Sequence, residues 1–184
     1  PSTAQSQAEH EKVFMKASVD ELRAATGYLE HPYLLFSQDD IEVMREQRET
    51  THADIWRTIE SFAYERLNGR VQRDPPADNQ EFYRNHGNRL IPLAFTCLML
   101  EDEAVCDYTR ELLLEHARWP RWDAYNQVGL GHAQMMVGTA LAYDWLAPML
   151  SEDEQAIIRA DLISRTERLY TAGTATRYLT DANN

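Results

Sequence analysis

Between Ala124 and Tyr143, twenty consecutive positions (AYNQVGLGHAQMMVGTALAY) hold no Asp, Glu, Lys or Arg, in a chain of which 26% is charged. A membrane-spanning helix needs roughly 20 predominantly apolar residues. This run is too polar for that role, since Asn126, Gln127, His132, Gln134 and Thr139 interrupt it, with Gly129, Gly131 and Gly138 between them. The pattern predicts a helix buried in protein on all sides. Its neighbours must then offer apolar faces around it.

Those neighbours read as helices too. No segment alternates apolar and polar residues long enough for a convincing strand, and Gly and Pro number only seven each, so the chain reads as all-α. The spacing predicts a short amphipathic helix at 12–26, an extended HPYLLF segment at 31–36 fixed by Pro32, and a helix from an N-cap at Ser37 to about Glu49. A helix follows at 52–69, with Ile55, Ile59, Phe62, Ala63 and Leu67 at helical spacing. Residues 70–88, centred on Pro75 and Pro76, read as a long polar connection. It leads into a nearly chargeless helix at 89–100, where Pro92 is tolerable in the first turn. Next come an amphipathic helix at 102–119, a polar and aromatic loop at 120–131 and the chargeless helix at 129–149. A last amphipathic helix at 152–170 opens with a capping box of Ser151 and Glu154.

A chargeless helix followed by an amphipathic one thus recurs about every 40 residues, the mark of stacked helical pairs with an inner and an outer layer. An open solenoid and a closed (α/α) toroid share that pattern. A solenoid usually has short hairpin turns, whereas here long loops rich in Asn, His, Arg, Trp and Tyr precede each inner helix. Loops of that kind at one end of a ring build a cleft, which favours the toroid. With 184 residues, 43% of them hydrophobic, the chain can bury a sizeable core as one domain or as part of a larger one.

Thirty acidic against eighteen basic residues give a net charge of -12 and a pI near 4.9, which opposes non-specific attraction to nucleic acid or to an anionic membrane. Cys97 and Cys106 fall in two neighbouring predicted helices and are expected as free buried thiols rather than a disulfide. The small, polar opening PSTAQSQAEHE leans toward a secreted or periplasmic location.

Three stretches, HPYLLFSQDDIEVMREQ (31–47), NRLIPLAFTCLMLEDE (88–103) and HARWPRWDAYNQVGLGHAQMMVGTALAYDWLAPMLSEDEQAIIR (116–159), occur in the order in which they resemble the heparinase II/III-type superfamily of polysaccharide lyases. AYDWL followed by LSEDE is the most recognisable part. The resemblance covers residues 30–184 and implies an incomplete (α/α) toroid of inner and outer helices. Residues 30–184 would form its N-terminal part, after a leader and short helix at 1–29, with antiparallel β-sandwich domains downstream. It implies an enzyme that cleaves or epimerises acidic, uronate-containing polysaccharide of the alginate or glycosaminoglycan type, with the remainder of the same polypeptide as its partner. Such enzymes carry an Asn-His segment at the start of a later inner helix, then a Tyr and another His. YLTDANN (178–184) resembles the approach to the first of these. Asn183 and Asn184 are therefore expected in, or beside, the segment that neutralises the substrate carboxylate, with the catalytic Tyr and His beyond residue 184.

The chemistry explains those residue types. Removing the C5 proton of a uronate and expelling the group on C4 builds charge beside a carboxylate, which polar donors must stabilise. A Tyr or His acts as base, and a Tyr commonly protonates the departing oxygen. Donors at helix N-termini suit the anion. RNHGNR (84–89) gathers Arg84, Asn85, His86, Asn88 and Arg89 just before a predicted inner helix, and an Arg binds a carboxylate or sulfate through two parallel hydrogen bonds. The ordinary role of the same residues is a turn at Gly87 with Asn88 as N-cap. His132 and Gln134 open the chargeless helix as candidate ligand contacts, although a lone His there is more often a hydrogen-bonded core residue. Trp122 and Tyr125 lie in the preceding loop, where rings stack on sugar faces; Trp119 beside them is expected in ordinary packing. Asp144, in Tyr-Asp-Trp, reads as a buried carboxylate that ties down a neighbouring loop.

No HExxH, CxxC pair, GxSxG or phosphate-binding glycine loop is present. His10, His31, His52 and His116 are scattered, and local spacing builds no metal site. No cofactor is identifiable in this segment, while the resemblance allows a structural metal in a downstream β domain. A C5 uronate epimerase, which abstracts the same proton, and a non-catalytic helical-repeat binding scaffold are the alternative readings. The net charge counts against heavily sulfated substrates more than against alginate or unsulfated uronans.

Overall fold

Most of the helices begin at a residue able to satisfy their free N–H groups. In the computed structural model of the protein, which describes residues 30–67 and 69–175, α1 (Gln38–Glu49) follows Ser37. The backbone N–H and hydroxyl of Ser37 donate to the Asp40 carboxylate at 2.8 and 2.7 Å. α2 spans Ala53–Tyr64. α3 (Gln80–Leu100) starts after Asn79, whose Oδ1 accepts from the Phe82 N–H, and α4 (Glu103–Arg118) after Asp102, which accepts from the Val105 N–H. α5 spans Leu130–Leu146 and α6 Glu152–Ala175. The expected Ser151–Glu154 box forms at the head of α6, with N–H and hydroxyl of Ser151 each 2.9 Å from Glu154 Oε2. Short 3-10 turns at Ala124–Asn126 and Ala147–Met149 complete the regular structure; the described residues contain no strand, and the protein is all-α. The helix expected at 12–26 lies outside the described residues.

Helix α3 is longer than its sequence suggested. It begins at Gln80, not at 89, because Tyr83, His86, Gly87 and Leu90 form one buried stripe while Glu81, Arg84, Asn85 and Asn88 form its solvated side. Pro92 therefore lies in mid-helix rather than in the first turn. Its missing N–H deprives the carbonyl of Asn88 of a helical partner, which is tolerable because Asn88 is exposed.

α3 packs against α1, α2, α4 and α5, and α6 lies on α4 and α5. The closest approach is between α3 and α5. A Cβ on Gly138 would lie 2.0 Å from the Gly87 carbonyl oxygen, and one on Gly87 would lie 2.3 Å from the Gln134 carbonyl oxygen. Backbone meets backbone there, so only glycine fits. This crossing accounts for the buried side of the charge-free run, together with Met135, Thr139, Ala142 and Tyr143. The opposite side is not enclosed: Leu130 and Val137 are 58% and 50% exposed. Burial on all sides is thus corrected to burial on one, because the described helices surround only part of α5.

The largest cluster of buried side chains joins α3, α4, α5 and α6 through residues such as Leu93, Leu112, Leu113, Trp145, Leu146 and Ile158. Cys97 and Cys106 lie at its edge as a disulfide, not as the free thiols expected. Glu101, left-handed at φ 55°, ends α3 and turns the chain back into α4. The two Cα atoms come within 4.9 Å, which is bridging range. Asp144 is 1% exposed and does what its neighbours suggested. Its carboxylate accepts from the N–H groups of Tyr33 and Leu34 at 3.0 and 2.8 Å and pairs with His31 Nδ1 at 2.7 Å, while Trp145 Nε1 donates to the Leu34 carbonyl. Segment 31–36 is thereby pinned to α5. No helix among the described residues is long and apolar enough to cross a membrane.

Candidate functional site

Once residues 80–88 are helical, Asn85, Asn88, Arg89 and Pro92 fall at i, i+3, i+4 and i+7, one stripe of α3. That stripe faces the last turn of α2 and the residues after it. Together with Phe62, Glu65, Arg66 and His86 it lines a cleft of about 760 Å³. Three of the residues singled out by sequence, His86, Asn88 and Arg89, meet there. They do so from a helix face, not from a loop ahead of a helix.

Arg89 is held from two sides. Its Nη2 donates to the Tyr108 hydroxyl at 2.7 Å, and its Nη1 is 3.5 Å from His86 Nε2. Its Nε–H is buried and meets no acceptor among the described residues. Arg66 is committed differently: its guanidinium lies 3.3 Å above the Phe62 ring, donates to the Phe62 carbonyl at 3.0 Å and pairs with Glu65 at 3.7 Å. Two guanidinium groups against one carboxylate leave the cleft with a single net positive charge, in a chain whose net charge is -12.

His86 has a defined tautomer. Its Nδ1 is 2.9 Å from the Phe82 carbonyl oxygen, which can only accept, so Nδ1 carries the proton and Nε2 is the bare nitrogen turned to Arg89. Burial pushes its pKa down to about 4, against the bond to Phe82, and the Arg89 charge adds to the depression. His116 lies behind it, with ring centroids 5.6 Å apart and Trp119 packed on both. His116 is fully buried, neither ring nitrogen has a partner among the described residues, and burial holds its pKa well below the ordinary value. Both rings are neutral at pH 7. The cleft thus carries one uncompensated guanidinium beside neutral rings; the groups lining it include no nucleophile and no pair of carboxylates.

The other candidates lie elsewhere. His132 is fully buried under the 119–131 loop, its Nε2 3.3 Å from the Arg165 carbonyl and its pKa lowered mainly by burial. Trp122 is 1% exposed, donates to the His116 carbonyl at 2.8 Å and is faced by the Arg165 guanidinium, so its ring packs in the core. Gln134 is half-buried, its backbone carbonyl against Gly87. Tyr125 projects from the loop, 70% exposed, with φ 51° and its N–H bonded to the Ala77 carbonyl. None of these four lines the cleft. Asn183 and Asn184 lie outside the described residues.

Sequence reasoning missed Arg66, Tyr108 and the role of Asp123. Phe62 in the last turn of α2 and Arg66 in the turn after it are four apart, a spacing that places an aromatic ring beneath a cation. Asp123 is fully buried and accepts from the N–H groups of Ala124 and Gly129 at 2.7 and 2.9 Å, tying the loop to the head of α5. Asp123 and Asp144 are thus both engaged by backbone donors. No group of His, Cys, Asp and Glu among the described residues is placed to hold a metal ion. A scan against protein-family models finds no match to this chain.

Proposed function

We propose that the chain is the N-terminal helical portion, an incomplete (α/α) toroid, of a heparinase II/III-like polysaccharide lyase. It acts on uronic-acid-containing acidic polysaccharide by β-elimination. One observation carries the reading: in a chain with 30 acidic residues, Arg89 has no carboxylate partner among the described residues and faces a cleft with Arg66, Asn85 and Asn88. An acidic protein has carboxylates to spare for its cations, so a guanidinium kept away from them is available to an anion from outside. The net charge does not prevent this, because screening over about 8 Å at physiological ionic strength lets a local cationic cleft dominate. The order α3–α4 and α5–α6, each a helix with a long apolar stretch followed by an amphipathic partner, supports the layered arrangement. The disulfide suits a secreted or periplasmic enzyme. Asn183 and Asn184 belong to the carboxylate-neutralising segment, and the base and acid lie beyond residue 184.

The test is ultraviolet absorbance during incubation of the full-length protein with alginate, chondroitin, dermatan, hyaluronan, heparan and ulvan. A rising trace with one polymer reports a 4,5-unsaturated uronate, and names both reaction and substrate. A flat trace with every polymer refutes the lyase reading. Deuterium uptake at C5 without absorbance would then identify an epimerase, and binding with neither change would identify a scaffold.

A further inference from the structure

We infer that the α2–α3 cleft is a subsite for one uronate carboxylate whose neighbouring sugar bears no charge, with Arg89 as the cationic ligand. The inference rests on the reading that the protein acts on an acidic polysaccharide, and adds which residue grips the acid and how many charges the place accepts. Three features carry it. First, Arg66 is neutralised by Glu65 and fixed on Phe62, so Arg89 alone supplies uncompensated charge. His86 adds none at neutral pH. Second, the Tyr108 hydroxyl and His86 Nε2 fix the plane of the Arg89 guanidinium before any ligand arrives, which lowers the cost of binding. Its buried Nε–H lacks an acceptor among the described residues, so no protein carboxylate compensates its charge from that side. Third, Glu65 lines the same cleft and cancels the charge of Arg66, so a second anionic group in the cleft finds no uncompensated cation to meet it. The volume of about 760 Å³ suits a ligand of disaccharide size. Phe62 and Pro92 offer apolar surface to the sugar C–H groups, and the exposed amides of Asn85 and Asn88 offer donors.

Calorimetric titration of the full chain at fixed ionic strength, with an unsulfated chondroitin tetrasaccharide and with its sulfated counterpart, tests this directly. The unsulfated probe is expected to bind roughly tenfold tighter. Glu65→Gln should narrow that difference. Arg89→Gln should weaken the unsulfated probe by about tenfold or more, as for a lost hydrogen bond to a charged group. Asn88→Asp changes an exposed residue outside the packing and sets a carboxylate beside Arg89; it should weaken binding comparably, and carries the test if Arg89→Gln unfolds. Equal affinity for the two probes, or unchanged affinity in both Asn88→Asp and a folded Arg89→Gln, overturns the inference. The two readings fail separately. Arg89-dependent binding without an unsaturated product sinks the lyase and keeps the subsite, whereas undiminished turnover and affinity in Arg89→Gln sink the subsite and keep the lyase.

Discussion

Lowering the pH from 7 to 5 should destabilise this protein through its histidines before its carboxylates titrate. His86, His116 and His132 are buried, and burial pushes all three below the ordinary value of 6.5, His86 to about 4. The charged groups that bear on the His86–His116 pair are cationic, Arg89 on both rings and protonated His86 on His116, so no carboxylate rescues the protonated form. The folded protein keeps these rings neutral, while the unfolded chain protonates them below about pH 6.5. The unfolded state then binds more protons, so the stability is fully present above that pH and is lost as the pH falls toward the folded value. For His86 the interval from 6.5 down to about 4 corresponds to about 3 kcal/mol. Burial lowers His116 and His132 in the same direction, so both add to the loss as the pH falls. Against a total stability of about 5–15 kcal/mol, this is a large loss. Glu154 acts in another window: Arg110 holds it down to about 2, so its contribution goes only below about pH 4.5.

Urea unfolding followed by circular dichroism at pH 7, 6 and 5 measures the slope. His116→Leu gives the control, because His116 has no hydrogen-bond partner among the described residues. The substitution should cost little at pH 7 and make the loss between pH 7 and pH 5 smaller than in the wild-type protein. Equal stability of the wild-type protein at pH 7 and pH 5 would refute the reasoning, since it would mean that these rings are not kept neutral by burial.

Two further outcomes follow from the packing. Gly138→Ala places a methyl group where the Gly87 carbonyl oxygen lies 2.0 Å away; overpacking costs about 1–3 kcal/mol where neighbours yield. Here the neighbour is backbone, so the loss should reach the top of that range, and a thermal midpoint within about 2 °C of wild type would contradict it. Asp144→Asn replaces a carboxylate that accepts from two backbone N–H groups and pairs with His31, at a cost of about 3 kcal/mol. New cleavage within 31–36 on limited proteolysis is expected, and an unchanged digestion pattern would count against the pinning role.

The helices were legible where apolar spacing and capping chemistry agreed. Ser37 with Asp40 and Ser151 with Glu154 mark starts that the structure places at the same residues. The start of α3 was not legible, because RNHGNR reads as loop when its polar residues are counted together and as helix only when Tyr83, His86, Gly87 and Leu90 are separated from them. Pro75 and Pro76 drew the eye to a connection that in fact ends at Asn79. Asp144 was legible because a lone charge beside a charge-free run must find partners. The disulfide was not: nine residues of separation say nothing of the left-handed Glu101 that turns one cysteine back onto the other. His86, Asn88 and Arg89 were found by composition alone. Arg66 and Tyr108 were missed because Arg66 reaches the cleft from the turn after α2 and Tyr108 holds Arg89 from α4, and only tertiary packing brings them to α3.

The placement of Gly87 ties the helix crossing to the cleft. His86, Gly87 and Arg89 lie within one turn of α3, and at about 100° per residue they point to different surroundings. Gly87 locks the helix against the α5 backbone, so the rotation and height of α3 at that turn are fixed by a contact that cannot relax. His86 and Arg89, three apart, then reach each other on the side turned away from the crossing. The orientation of the guanidinium is therefore set by rigid packing one turn deep, not by loop conformation, as a site holding a single charge in place requires. A bulkier residue at Gly87 or Gly138 would tilt α3 and move Arg89 relative to Arg66, although neither glycine lines the cleft.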